Sequence, residues 1–140
     1  MTVASICTRL PETTSADETV LAAARRMSAQ EVGTLVVVDA GGQPEGIVTD
    51  RDIVVRCVAD ELDPAETKVR EVMTVDPVTV HEDTTLDAAL ETMADKEVRR
   101  VIVVNDAGRV VGIASLDDFL EGVVAATEDI GRLLRRQVRV

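Results

Sequence analysis

The chain contains no tryptophan or tyrosine, and Phe119 is its single aromatic residue. Its hydrophobic interior must therefore be built from Val, Leu, Ile, Ala and Met. Stacking of bases on aromatic side chains, the usual means of holding single-stranded nucleic acid, is not available. Positive charge is also scarce: 15 Lys and Arg stand against 26 Asp and Glu, for a net charge of −11. A duplex or RNA partner normally requires a basic face, so nucleic acid is excluded as a partner. No apolar stretch approaches the roughly 18–20 uncharged residues of a membrane span, which excludes a membrane-embedded role. The N-terminus lacks the basic-then-apolar layout of a secretion signal, so a cytoplasmic location is expected.

Cys7 and Cys57 stand far apart, without the CxxC spacing of a metal or redox site, and read as small buried apolar residues. His81 is the only histidine. With no second imidazole, zinc ligation or a Ser-His-Asp arrangement is not supported, and His81 reads as an ordinary polar residue. Positive charge does concentrate in one place, where Arg132, Arg135, Arg136 and Arg139 crowd the last nine residues. This segment reads as a solvated helical tail, or as a docking tail for an acidic partner or a second subunit.

What the sequence does have is a duplication. Residues 3–58 lie over residues 69–124 without a gap, and 18 of the 56 aligned positions are identical, too many for an accidental overlay. Among them are Thr8/Thr74, Pro11/Pro77, Thr13/Thr79, Met27/Met93, Gly46/Gly112 and Asp52/Asp118. The chain divides accordingly into a first unit at 3–58, a polar linker at 59–68, a second unit at 69–126 and a basic helical tail at 127–140.

Each unit reads as the same series of elements. Asp17 and Asp83 are candidate helix N-caps. Apolar residues follow at helical spacing, Val20, Ala23, Ala24 and Met27 matching Leu86, Ala89, Leu90 and Met93. The β-branched runs 35–38 and 101–104 then read as buried strands. A tight turn, a second strand at 45–48 or 110–114 and a closing helix from Thr49 or Ser115 complete the unit. This predicts an α+β fold of two β-α-β-β-α units. Neither unit can bury its strands alone, so the two should pack sheet to sheet about a pseudo-twofold axis, with a cleft between them suited to a small molecule.

Both units carry one motif at the strand-to-helix junction: Gly46-Ile47-Val48-Thr49-Asp50-Arg51-Asp52 and Gly112-Ile113-Ala114-Ser115-Leu116-Asp117-Asp118. The hydroxyl falls at a helix N-terminus, where free N–H groups favour an anion such as phosphate. The acid three residues on shares its helix face and can accept two hydrogen bonds from a ribose diol. The glycine permits close backbone approach. Equally, Thr49 and Ser115 can be plain N-caps, with Asp52 and Asp118 as first-turn acids.

The repeat, the order of elements and the paired motif together resemble the cystathionine-β-synthase-type (CBS) domain pair. The resemblance covers residues 3–126, including the runs Ser5-Ile6-Cys7-Thr8 and Glu71-Val72-Met73-Thr74. Thr49-Asp50-Arg51-Asp52-Ile53 and Glu97-Val98-Arg99-Arg100-Val101 are also typical of it. The resemblance implies a non-catalytic regulatory module that binds an adenosine derivative (AMP, ADP, ATP, S-adenosylmethionine or a dinucleotide) as a regulatory ligand, without a cofactor. By analogy Thr49 and Asp52, and separately Ser115 and Asp118, engage phosphate and ribose. Thr13, Thr79, Thr34 and Arg100 flank the adenine or the phosphates. Arg51 beside Thr49 favours phosphate in the first site, whereas Asp117 at the matching place disfavours it in the second. The resemblance further implies a homodimer, with output through an unidentified protein partner or through the oligomeric state. The apolar face of each closing helix, Ile53, Val54 and Val58 matched by Phe119, Leu120 and Val124, is expected to form the dimer. The contrasting expectation is an interaction protein with empty clefts. No nucleophile–base pair or metal cluster supports an enzyme.

Overall fold

The computed structural model describes residues 1–138. Each half contributes two short strands, a helix, two longer strands and a closing helix. In the first half these are β1 (Thr8–Arg9), β2 (Thr13–Thr14), α1 (Val20–Gln30), β3 (Thr34–Val38), β4 (Pro44–Thr49) and α2 (Asp50–Ile53). The second half repeats them as β5 (Thr74–Val75), β6 (Thr79–His81), α3 (Leu86–Lys96), β7 (Arg100–Val104), β8 (Val110–Ser115) and α4 (Leu116–Val138). The fold is α+β, two β-α-β-β-α units packed together.

The helices α1 and α3 start later than Asp17 and Asp83 suggest. Their N-caps are Thr19 and Thr85, whose hydroxyls accept from the N–H groups of Ala22 and Ala88. Asp17 instead lies in the preceding turn and pairs with Arg70 of the other half. Each helix ends on a glutamate in the left-handed conformation, Glu31 at φ 55° and Glu97 at φ 54°.

The two sheets are assembled by exchange. Their strand orders are β2-β3-β4-β5 and β1-β8-β7-β6, so the first short strand of each half joins the other half's sheet. Gly46 pairs with Val75 and Gly112 with Arg9 in antiparallel register. The motif glycines are required by this crossing: a Cβ on Gly46 would lie 2.6 Å from the Thr74 carbonyl oxygen, and one on Gly112 2.6 Å from Cys7 Sγ. Burial at this crossing pushes the Cys7 thiol above its ordinary pKa.

The cores follow the same exchange. Val20, Met27, Leu35, Val37, Val48 and Ile53 form one, completed by Val69 and Val72 from the second half's lead-in. Ala89, Met93, Val101, Val103, Ala114 and Phe119 form the other, completed by Val3. Val36 and Ile102 are fully buried yet belong to neither cluster. Alternation along a strand turns them to the opposite sheet face, the one pressed between the halves. The duplicated units therefore depend on each other for their interiors.

The closing helices differ. After one turn, α2 widens into a π-helical turn at Val54–Val58. By contrast, α4 runs without interruption from Leu116 to Val138, so the segment from 127 onward continues this helix. Arg132, Arg135 and Arg136 lie on it, and Arg139 lies outside the described residues. No helix among the described residues is long and apolar enough to cross a membrane.

Candidate functional site

Thr49 and Asp52 form a reciprocal capping box. The Asp52 N–H donates to Thr49 Oγ1 at 3.1 Å, and the Thr49 N–H donates to Asp52 Oδ2 at 2.9 Å. Ser115 and Asp118 repeat it at 3.3 and 2.8 Å. The motif residues are thus helix caps in both halves. The boxes leave chemistry over: each hydroxyl keeps its proton to donate, and each carboxylate keeps its Oδ1 to accept. Asp52 Oδ1 lies 3.8 Å from Arg56 Nη1, which donates to the Val72 carbonyl at 2.9 Å. In the second half Gly122 stands where Arg56 would, so Asp118 has no such neighbour.

The capped residues line two clefts between the halves. The first, of 310 Å³, sets Ile47, Thr49 and Asp52 against Thr74, Asp76, Pro77, Val78 and Val98 to Arg100 of the other half. The second, of 270 Å³, sets Ile113, Ser115 and Asp118 against Thr8, Pro11, Glu12 and Val32 to Thr34, with Arg100 added. Shifting one set by 66 residues largely reproduces the other, so the clefts are a pseudo-symmetric pair. Their volumes lie just above and just below the lower bound of the roughly 300–1,000 Å³ of small-molecule sites.

A larger cavity of 480 Å³ lies elsewhere, lined by Asp17, Glu18, Asp39 and Glu45 together with Arg70. Its one arginine is already paired with Asp17, so four carboxylates leave it repellent to anions. Size does not make it the candidate.

Of the residues singled out from sequence, Thr49, Asp52 and Arg100 meet in the first cleft, and Ser115, Asp118, Thr34 and Arg100 in the second. Thr13 and Thr79 line neither. They lie on β2 and β6, outer strands separated from β4 and β8 by β3 and β7, and Thr13 lines the 480 Å³ cavity instead. Arg51 is exposed on α2 and also lines neither cleft, as does Asp117 on α4. The expected contrast between Arg51 and Asp117 is therefore not built into the clefts.

The cleft cations come from residues the motif does not contain. Arg99 and Arg100 both line the first cleft, facing Asp52 and Asp76. Arg100 is the sole cation lining the second, facing Glu12 and Asp118. Among the described residues neither Arg99 nor Arg100 has an ion-pair partner. The first cleft thus offers two free guanidiniums, whereas the helix end at α2 is short and its capped N–H groups are spent. His81 pairs with Asp106, Nε2 to Oδ1 at 2.5 Å. No cluster of His, Cys, Asp and Glu that could hold a metal occurs among the described residues.

The architecture is thus two α+β units that exchange a short strand and enclose paired clefts. The CBS domain pattern matches residues 3–58 and again residues 69–125. The chain therefore belongs to the CBS domain family, as a tandem pair. It is 33% identical over 121 residues to an uncharacterized protein of Methanopyrus kandleri, covering 86% of this chain and 62% of that one. It is 39% identical over 103 residues to the uncharacterized protein YlbB of Bacillus subtilis, covering 73% of this chain and 68% of that one. The chain thus spans less than two thirds of the Methanopyrus relative's length. Among solved structures, the CBS domain pair of protein MJ0100 matches with a TM-score of 0.77 and 28% identity, over 90% of this chain and 98% of that one. That structure is a complex with 5′-methylthioadenosine and S-adenosyl-L-methionine.

Proposed function

We propose that this chain is a non-catalytic regulatory module that binds an adenosine-type ligand in its two inter-unit clefts, phosphorylated nucleotides in the first. The observation that carries this is the composition of the first cleft. Asp52, with an oxygen left over from its capping box, stands across from Arg99 and Arg100. The carboxylate suits a ribose diol and the guanidiniums suit phosphate. The second cleft keeps the carboxylate, Asp118, but has Gly33 where the first has Arg99. It suits adenosine compounds without a phosphate, such as S-adenosylmethionine. The complex of the MJ0100 pair with two adenosine derivatives supports the ligand class.

In this reading the module works as a homodimer and passes its state to a protein partner. A second reading has a specific observation in its favour: capping alone accounts for Thr49, Asp52, Ser115 and Asp118. Such a protein would act through dimerisation with its clefts empty.

Calorimetric titration with AMP, ATP, S-adenosylmethionine and NADH separates the two readings. A ligand at about 100 times its Kd adds roughly 2.7 kcal/mol of stability, readily seen as a thermal shift. Saturable binding of an adenosine derivative is expected; no heat and no shift with any of the four leaves the empty-cleft reading.

A further inference from the structure

We propose that the two clefts compete for the single guanidinium of Arg100, so that a phosphorylated ligand in the first weakens the second for another one. The proposal rests on the nucleotide-binding reading above and adds a coupling between its sites.

Arg100 opens β7, and its Cα stands opposite Ser115 on β8. Cross-strand partners share a sheet face, so the Arg100 side chain leaves the backbone beside the second motif. It nevertheless lines the first cleft as well. The repeat-equivalent residue is Thr34, opposite Thr49 on β4. Thr34 lines the second cleft only, its side chain being too short to serve both. Duplication would supply one such residue per cleft; here Arg100 lines both clefts and its counterpart Thr34 lines one.

The clefts do not depend on Arg100 equally. Arg99 remains in the first cleft if Arg100 turns away. The second then retains only Glu12 and Asp118 as charged groups, and a phosphate would meet like charge. A guanidinium directs its planar fork of donors at one phosphate at a time. A phosphate in the first cleft that draws Arg100 therefore removes the only cation from the second. By linkage the effect is reciprocal: phosphate in the second cleft weakens phosphate binding in the first by the same factor. An uncharged adenosine makes no demand on Arg100 and carries no such coupling. Site couplings usually lie between about 5- and 150-fold, and the exposure of Arg100 sets this one near the lower end, about fivefold.

The test is calorimetry of the full chain with AMP and, separately, adenosine. AMP should bind in two steps. Its second step should be about fivefold weaker than AMP binding to the Asp52→Asn/Arg99→Ala variant, in which the first cleft is disabled and the second is untouched. Asn at position 52 keeps an acceptor for the Thr49 N–H, and thermal unfolding checks that the variant is folded. In Arg100→Gln the difference should vanish, and adenosine should show none in any variant. Wild-type titrations at rising salt give a second readout, the gap between the AMP steps narrowing as charge is screened. Equal AMP affinities of the second cleft with the first filled or disabled would overturn the coupling and leave the nucleotide reading standing, as would a tighter second step. Binding of neither AMP nor adenosine would overturn both.

Discussion

Gly33 and Arg99 hold the same place in the two halves. The Gly33 carbonyl accepts from the Asp50 N–H at 3.0 Å, and the Arg99 carbonyl accepts from the Leu116 N–H at 2.8 Å. Each residue thereby ties the entry of its longer strand to the start of its closing helix. The backbone role is shared, so the side chain is free to differ, and Arg99 puts a guanidinium into the first cleft where Gly33 puts nothing into the second. Arg99→Ala should weaken AMP or ATP at the first cleft by roughly ten- to a hundredfold, the worth of hydrogen bonds to a charged acceptor. Adenosine binding should change little. Calorimetry with both ligands reads the difference, and equal losses would remove the phosphate role. The converse variant, Gly33→Arg, should raise AMP affinity at the second cleft. A Cβ there comes within 3.0 Å of Asp50 Oδ2, the far end of an exposed side chain that can turn aside.

Asp52 has two roles that different substitutions can separate. Asp52→Ala removes one half of the capping box and should cost about 1 kcal/mol of stability, together with the binding expected of the ribose contact. Asp52→Asn retains an acceptor for the Thr49 N–H, so its urea midpoint should stay near wild type while nucleotide affinity still falls. The same pair at Asp118 should affect the second cleft alone. If Asp52→Asn bound AMP as the wild type does, Asp52 would be a cap and nothing more.

The contrast shows which parts of the molecule were legible in the sequence. The duplication, the element order and the buried strands around Leu35 and Val101 follow from spacing and from apolar residues, signals that are local. Thr19 and Thr85 were legible as caps only in hindsight, because Asp17 and Asp83 stand nearby with equal capping ability. The exchange of β1 and β5 was not legible. Two-residue strands have no periodicity, and nothing in Thr8 or Thr74 states which sheet they join. Since that exchange brings Asp76 and Glu12 to the clefts, the charges there could not be assigned from the motif. Arg99 sits beside Arg100 in the run 97–101, but its place in the first cleft depends on how the halves pack. Arg51 lies within the motif itself and is for that reason the more conspicuous cation in the sequence.

Glu31 and Glu97 end α1 and α3 with positive φ, a conformation that costs an L-residue about 1–2 kcal/mol and glycine almost nothing. Glycine at these places also loses more chain entropy on folding, which offsets part of the gain. Glu31→Gly and Glu97→Gly should each still stabilise the protein, by up to about 1 kcal/mol, read as a higher urea midpoint at unchanged slope. Because the sites lie in different halves, the two gains should add. A lower midpoint for either variant would mean that the glutamate side chain supports its helix end in a way that outweighs the strain.

The closing helices bear on assembly. Ile53 and Phe119, expected at a dimer surface, are buried in their own cores instead, because the first turn of each closing helix packs beneath its sheet. Val54, Val58, Leu120 and Val124 of the same expectation remain more than half exposed. On α4 they extend into a longer stripe: Leu120, Val123, Val124, Ile130 and Leu134 fall within about 120° of the helix circumference at 3.6 residues per turn. Asp117, Asp118, Glu121, Glu128, Asp129, Arg132, Arg135 and Arg136 occupy the adjoining arc, so that Asp117, Glu128 and Arg135 flank the stripe beside Val124. Half-burying five such side chains contributes about 1 kcal/mol each, a sizeable share of an association energy. The charged side also suits a second copy, since its acids gather toward the start of α4 and its arginines toward the end. An antiparallel pair of α4 helices would set the two signs against each other. Light scattering at micromolar concentration should therefore give twice the chain mass of 15.0 kDa. Val124→Glu, which places a carboxylate on the stripe without touching either cleft, should return the single-chain mass with folding intact by circular dichroism. A wild-type mass of 15.0 kDa would mean that the stripe does not join two copies. A dimer unaffected by Val124→Glu would move the interface off α4, to Val54 and Val58.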